Sequence, residues 1–251
     1  MKIALITGAT SGIGEACAHL FARENYNLVL TGRREERLQE LAKKLNTKYN
    51  VEIAVSAFDV RDRGQVINSL DELPATWKKI NVLINNAGLS QGLDPIQNGS
   101  YDDWDTMIDT NIKGLLYVSK VVSNWMIENK AGHIINIGSI AGKEVYPNGN
   151  VYCATKAAVD ALNKAMRIDL VTHGIKVTGI HPGAVETEFS EVRFKGDKER
   201  AKKVYDGFEP LVAADIAETI WFAVSRPAHV NINDMIIMPT AQASAAIISR
   251  K

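Results

Sequence analysis

A tyrosine and a lysine spaced four residues apart are the pair in this 251-residue sequence best suited to proton transfer. Tyr152 and Lys156 fall in a predicted helix, where such positions share one face about 6 Å apart along the axis. A free tyrosine has a pKa near 10, and bringing it to neutrality takes about 4 kcal/mol. One ammonium about 4 Å away, at an effective dielectric near 20, supplies about that much. The pair therefore predicts an acid/base tyrosine activated by Lys156.

Two further polar residues fit the same chemistry. Ser139 lies just past a predicted strand, thirteen residues before Tyr152. Asn111 lies in the middle of a predicted helix, where asparagine is unhelpful to helicity and often marks a local distortion. Taken singly, Ser139 is equally a turn serine, and a Tyr-x3-Lys spacing is common on amphipathic helices. The four residues become informative only together.

A glycine-rich turn near the start of the sequence predicts a phosphate-binding site. Gly8, Gly12 and Gly14 follow the first predicted strand and open the first predicted helix. Glycines let the backbone approach a pyrophosphate, whose charge then meets the helix N-terminus. A glycine pattern alone is weak, but its position between strand and helix strengthens it.

The end of the second predicted strand indicates which dinucleotide binds. An NAD-dependent enzyme normally has Asp or Glu there to accept hydrogen bonds from the ribose, whereas this sequence has Gly32 followed by Arg33 and Arg34. A guanidinium matches a phosphate in charge and geometry. The alternative is a solvated pair balanced by Glu35 and Glu36, but cations near a helix N-terminus are disfavoured unless an anion docks there. The sequence therefore predicts NADP(H).

Short apolar runs alternate with longer helical patterns along the whole chain, which predicts an α/β fold: a Rossmann-type, doubly wound, mainly parallel seven-stranded sheet with helices on both faces. We expect one domain over residues 1–251 with a substrate lid at about 183–211, because connections that long inside a compact domain are usually functional. The predicted strands are Ile3–Thr7, Leu28–Gly32, Val51–Phe58, Val82–Asn85, His133–Ile137, Lys176–His181 and Met235–Met238. The predicted helices are Ile13–Glu24, Glu35–Lys48, Gly64–Leu70, Trp104–Ile127, Tyr152–Thr172 and Asp215–Val224.

Taken together, these motifs resemble those of the short-chain dehydrogenase/reductase family in order and spacing. The resemblance implies an Asn111–Ser139–Tyr152–Lys156 tetrad in which Tyr152 exchanges a proton with the substrate oxygen and Ser139 hydrogen-bonds that oxygen. Lys156 would also hold the ribose, and Asn111 would position a water. Besides the glycines, both arginines, Tyr152 and Lys156, the resemblance implies further cofactor contacts at Thr10, Ser11, Ile13, Asp59, Val60, Asn86, Ala87, Gly88, Pro182, Gly183, Val185 and Thr187. Asp59 is equally a candidate helix cap.

Several stretches, above all residues 188–197 of the lid, are similar to the NADP-dependent 3-hydroxy acid dehydrogenases, the group that includes serine and allo-threonine dehydrogenases. A hydroxy acid needs a cation for its carboxylate, and the lid offers Arg193 and Lys195. We favour Arg193 because Val192 and Phe194 suggest partial burial. Two alternatives stay open: a broad-specificity NADPH-dependent ketone or aldehyde reductase, and a cofactor-sensing regulatory protein without turnover.

Composition excludes some functions and leaves others open. Acidic and basic residues balance at 29 each, so we expect no nucleic-acid partner, and no apolar run is long enough for a membrane span. With the first predicted strand so near Met1, we expect a cytoplasmic protein. Cys17 and Cys153 lack metal-ligand spacing, which predicts buried thiols and no metal site. The family resemblance implies a homotetramer or homodimer.

Overall fold

A parallel seven-stranded sheet forms the centre of the computed structural model, which describes residues 2–251. Its order is β3-β2-β1-β4-β5-β6-β9, so the strand order reverses between β1 and β4 while all strands stay parallel, as in a doubly wound fold. The strands are β1 (Ile3–Thr7), β2 (Asn27–Gly32), β3 (Ile53–Ala57), β4 (Val82–Asn85), β5 (Gly132–Ile137), β6 (Ile175–Pro182) and β9 (Asp234–Ile237). The predicted fold class and all seven strands are confirmed, with ends that differ by at most two residues.

Helices cover both faces of this sheet. They are α1 (Gly12–Arg23), α2 (Glu35–Tyr49), α3 (Arg63–Asp71), α4 (Tyr101–Ile108), α5 (Leu115–Asn129), α6 (Asn150–Leu170) and α9 (Ala213–Val224). Strand β1 shows how the two cores arise, because all five of its residues are buried. Ala4 and Ile6 pack into one hydrophobic cluster, and Ile3 and Leu5 into the other, as alternating side chains of a strand must.

One predicted helix, Trp104–Ile127, is interrupted in the structure. Residues Asp109–Gly114 form a π-helical segment between α4 and α5. Asn111 lies within it, so the distortion expected at this residue is confirmed. Such segments are rare and frequently occur at functional sites.

The long connection after β6 is folded, which the sequence pattern did not predict. Val185–Glu186 (β7) pairs in parallel with Leu211–Val212 (β8), so a two-stranded ladder closes the base of the segment. Between them lie two short helices, α7 (Phe189–Arg193) and α8 (Lys198–Lys203). We call the part of this segment from Glu188 to Phe194 the α7 strap.

Both cysteines, Cys17 and Cys153, are free and buried as predicted. Within residues 2–251, no helix is long and apolar enough to cross a membrane.

Candidate active site

A cleft of about 590 Å³ opens where the carboxyl ends of β1, β4, β5 and β6 meet. Ligands of open α/β sheets bind at this edge. The cleft brings together the residues predicted for both its nucleotide end and its catalytic end, including Arg193 of the strap. Two of the predicted site residues, Gly14 and Asn111, are not on its walls, and they contact the residues that form those walls.

Gly14 is required by close packing. A Cβ at this position would lie 2.3 Å from the carbonyl oxygen of Gly8, a separation that a backbone contact cannot accommodate. Asn86 secures the same turn, because its Nδ2 donates to the carbonyl oxygens of Thr7 at 2.9 Å and Gly8 at 3.1 Å. Ser11 precedes α1 without a side-chain capping bond, so the first N–H groups of the helix face the cleft unsatisfied by a cap.

The two arginines after β2 differ in their contacts. Arg34 donates from Nη2 to Thr10 Oγ1 at 2.7 Å and to Ser11 Oγ at 3.0 Å, and from Nη1 to Glu188 Oε2 at 3.1 Å. Arg33 is exposed on the cleft wall, and among residues 2–251 it has no ion pair or hydrogen bond. Arg33 is therefore a cation without a direct partner at this end, and its charge contributes to lowering the pKa of Asp59.

Asp59 also lines the cleft, and it pairs with Arg61 at 2.7 Å. Partial burial opposes ionisation of this carboxyl, but hydrogen bonds and charge from Arg61 hold its pKa below the ordinary value. The cap of α3 is Asp62 instead, whose side chain accepts from the N–H of Gln65.

Tyr152, Lys156 and Ser139 lie together on the opposite side of the cleft and are all buried. Lys156 Nζ lies 6.0 Å from the centre of the Tyr152 ring and donates to the carbonyl oxygen of Ile137 at 2.8 Å. Burial lowers the pKa of Lys156 to about 8. Ser139 Oγ accepts from the N–H of Ala141 at 3.1 Å and hydrogen-bonds Tyr152.

In the structure Lys156 is not among the groups that most affect the pKa of Tyr152, so the expected lowering by Lys156 stays a prediction. Burial raises that pKa, and the main opposing charge is Arg193. The reason is geometric, because Lys156 is directed at a backbone carbonyl whereas the Arg193 guanidinium lies 5.2 Å from the centre of the Tyr152 ring. At neutral pH Tyr152 therefore holds its proton.

Asn111 connects three elements from behind the cleft. Its Nδ2 donates to the carbonyl oxygen of Leu89 at 2.8 Å and to Thr155 Oγ1 at 3.0 Å, while its Oδ1 accepts from the N–H of Leu89 at 2.9 Å. A Cβ on Gly88 would lie 3.3 Å from the same Oδ1 and 3.4 Å from Lys156 Nζ. Both amide hydrogens of Asn111 are thus committed to protein partners.

Arg193 has no carboxylate partner among residues 2–251. Its Nε donates to Ser90 Oγ at 3.1 Å and its Nη2 to Tyr146 Oη at 2.7 Å, both neutral groups. The guanidinium lies within 6 Å of the ring centres of Tyr146, Tyr152 and Phe189. Its partial burial is confirmed. Lys195, by contrast, is exposed and pairs with Asp103 at 2.9 Å.

Tyr146 and Gln242 on the cleft wall, and Ser90 beside Arg193, had no sequence motif to identify them. Gln242 comes from the C-terminal stretch, and its Oε1 accepts from the N–H of Ala184 at 2.8 Å. Each makes its contact across a long sequence separation, so no local pattern could have indicated it.

The fold and cleft define a Rossmann-type dinucleotide-binding architecture. Residues 2–198 match the family model for short chain dehydrogenases, and the chain belongs to this family. It is 47% identical to an NADP-dependent 3-hydroxy acid dehydrogenase of Salmonella typhi, over 98% of both chains. It is also 47% identical to sulfoacetaldehyde reductase 2 of Chromohalobacter salexigens, over 97% of this chain and 96% of the relative. The closed form of a serine dehydrogenase complexed with NADP+ superposes with a TM-score of 0.92, at 44% identity and 99% coverage of both chains.

Proposed function

We propose that the protein is an NADP(H)-dependent oxidoreductase that interconverts a small 3-hydroxy acid and its 3-oxo acid, with Tyr152 as acid/base. The substrates would be of the serine, allo-threonine or 3-hydroxypropionate type. The observation that carries the proposal is Arg193, a cation without a carboxylate partner, held by neutral groups beside Tyr152 in the cleft.

The cleft residues fit NADP(H). Gly14 lets the backbone of the turn pack closely against Gly8, and the N-terminus of α1 has no side-chain cap. These features suit a pyrophosphate. Arg33, free on the wall at the end of β2, suits the 2′-phosphate, and Gly32 offers no carboxylate that would repel it.

When bound, the nicotinamide supplies or takes up the hydride. In reduction, Tyr152 donates its proton to the carbonyl oxygen, and the raised pKa keeps that proton in place at neutral pH. Ser139 hydrogen-bonds the same oxygen. Lys156 holds the ribose, and its ammonium stabilises the phenolate that remains. Through its amide, Asn111 positions Leu89 and Thr155 around these groups. Asn111 would also position a water for proton transfer.

Two relatives take substrates whose names describe small anions, a 3-hydroxy acid and sulfoacetaldehyde. An arginine without a counter-ion suits both a carboxylate and a sulfonate. A broad ketone or aldehyde reductase, the second candidate, would not need that cation.

We also propose a homotetramer or homodimer, because Ala154, Ala157, Ala161 and Ala165 form an exposed stripe of small residues along α6. The cytoplasmic location remains a prediction.

Turnover of a small panel would test the function. L-Serine, L-allo-threonine, 3-hydroxypropionate and malonic semialdehyde are to be measured with NADP(H) and with NAD(H), beside neutral aldehydes of similar size. We expect the acids and malonic semialdehyde to react with the higher kcat/KM. Equal or higher values for the neutral aldehydes would favour the broad reductase.

The Arg193→Ala variant tests the anion site directly. Removing one partner of a desolvated charge pair costs about 2–5 kcal/mol, so kcat/KM for malonic semialdehyde should fall about 30-fold or more. A neutral aldehyde should lose far less because it never used that charge. Lys195→Ala, two residues away and paired with Asp103, is the matched control and should change neither value greatly. Equal losses for both substrates in Arg193→Ala would mean that Arg193 supports the protein rather than the substrate.

A further inference from the structure

The α7 strap is anchored at both ends, and the two anchors lie at opposite ends of the cleft. Its C-terminal anchor is Arg193, whose side chain contacts Ser90 and Tyr146 and whose carbonyl oxygen accepts from the N–H of Gly92 at 3.1 Å. These contacts lie at the substrate end. Five residues earlier, Glu188 makes the other anchor, at the nucleotide end.

Glu188 bridges two arginines at the start of α2: Arg34, the residue before the helix, and Arg37 in its first turn. Its Oε2 accepts from Arg34 Nη1 at 3.1 Å and its Oε1 accepts from Arg37 Nη1 at 3.0 Å. Partial burial acts to raise the pKa of Glu188, but hydrogen bonds from both arginines hold it below the ordinary value, so the carboxylate stays ionised. The two contacts join residues 154 and 151 positions apart in the chain, and within residues 2–251 they are the two ion pairs between the strap and the start of α2.

A variant of Arg37 can test the contact between the strap and α2 without replacing a residue of the cleft wall. Glu188 and Arg34 line the cleft, whereas Arg37 does not. Among the described residues, the only polar contact of the Arg37 side chain is Glu188. A change at Arg37 therefore alters a contact of Glu188 without replacing a side chain that lines the cleft.

We propose that Glu188 is a positioning residue that clasps the α7 strap to α2 over the nucleotide end of the cleft, and thereby holds Arg193 in place at the substrate end. The clasp is built from side chains that are 42–50% exposed, so it is a weak contact that can break and re-form. A weak clasp suits a lid that must open in every turnover. This inference rests on the proposed anion-binding role of Arg193 for its effect on KM, but not for its effect on the strap itself.

Limited proteolysis of the NADPH-bound protein tests the clasp without using activity. The segment from Arg193 to Lys203 carries six trypsin sites: Arg193, Lys195, Lys198, Arg200, Lys202 and Lys203. Glu188→Gln and Arg37→Gln should each speed cleavage there by about two- to tenfold, as expected for loss of exposed ion pairs. The double variant should be cleaved no faster than Glu188→Gln alone, because Glu188→Gln already removes the ion pair that Arg37→Gln removes. Glu191→Gln on the same helix is the matched control, and mass spectrometry identifies the cut sites.

Kinetics with an anionic substrate provide the second readout. Arg37→Gln should raise KM for malonic semialdehyde about two- to tenfold while kcat and the Kd of NADPH stay within about twofold. Cleavage rates equal to those of Glu191→Gln in both single variants, or effects that add in the double variant, would overturn the clasp. Faster cleavage with an unchanged KM would keep the clasp but remove its link to Arg193. Faster cleavage in a protein that prefers neutral aldehydes would instead reject the proposed function and leave the clasp standing.

Discussion

Tyr152 lies in surroundings that favour its neutral form, and a neutral phenol favours the reductive direction of the proposed reaction. Burial raises its pKa, while the Ser139 hydroxyl and the Arg193 charge act in the opposite direction. A protonated phenol beside Ser139 can donate to a carbonyl at once. The reverse reaction must first remove that proton, and the proposed ammonium of Lys156 helps only while it is charged, below a pKa of about 8.

Tyr152→Phe tests this assignment at the level of one atom. The substitution keeps the ring that packs 5.6 Å from Phe189 and removes only the hydroxyl. We expect turnover to fall close to background, because the proton donor is gone, while the Kd of NADPH stays within a few-fold. Fluorescence titration and steady-state kinetics on one preparation give both quantities. Activity near that of the wild type would reject Tyr152 as the acid/base.

Arg33→Ala tests cofactor choice. We expect the wild-type protein to prefer NADPH over NADH by at least about tenfold in kcat/KM, which corresponds to about 1.4 kcal/mol. The variant should lose much of that ratio, mainly through weaker use of NADPH. Lys44→Ala, an exposed cation on α2 and away from the cleft, serves as control. If the ratio does not change, Arg33 is only a surface charge.

The predictable part of the site is the part whose residues are near each other in the chain. The glycine turn and the Tyr152–Lys156 pair are local patterns with a chemical reason for each residue type. Arg193 was predicted, but its partners Ser90 and Tyr146 lie 103 and 47 positions away, and Glu188 lies 154 positions from Arg34. Only the folded chain brings such residues together.

At the scale of elements, the π-helical segment places Asn111 where it can join α4–α5, the loop after β4, and α6. Hydrophobic patterning predicted α6 and the helical region of α4 and α5, since their apolar faces are long enough to show a period, but it did not separate α4 from α5. The strands β7 and β8 were not predicted, because two residues each are too few for any periodicity.

Thr155→Val tests this junction. Valine has nearly the same shape but cannot accept from Asn111 Nδ2, which would be left buried without a partner on that side. Leaving such a donor unsatisfied costs about 1–3 kcal/mol, and we expect the free energy of unfolding to fall by that amount. Thr155→Ser keeps the hydroxyl and should lose less. Urea denaturation of both variants makes the comparison, and equal losses would show that the methyl group matters rather than the hydrogen bond.

At the scale of the whole molecule, buried neutral groups make stability depend on pH. His133 lies between neighbouring strands of the sheet, and Thr178 Oγ1 donates to the carbonyl oxygen of Ile232, so the ring donates from Nε2 to Thr178 Oγ1 at 2.7 Å. Its Nδ1 is buried and has no partner among residues 2–251. Burial, with a smaller contribution from the Lys176 charge, lowers its pKa to about 3.

His133→Gln should therefore weaken the loss of stability in mild acid. In the unfolded chain histidine binds a proton near pH 6.5, but in the folded protein only near 3, so the stability present above about pH 6.5 is lost as pH falls toward 3. Between pH 6.5 and 5 this one residue accounts for about 2 kcal/mol. Urea titrations at several pH values should show a flatter profile in the variant. Parallel profiles would mean that other groups cause the acid sensitivity.

The β7–β8 ladder has a consequence for how such a protein can diversify. Because Val185–Glu186 is hydrogen-bonded to Leu211–Val212, the two ends of the enclosed segment are held side by side, about 5 Å apart, whatever the segment contains. Residues 187–210 can then lengthen, shorten or be exchanged without moving β6 or α9 on either side. Exchange of this segment can therefore change which substrate is bound, while the glycine turn and the Tyr152–Lys156 pair stay unchanged.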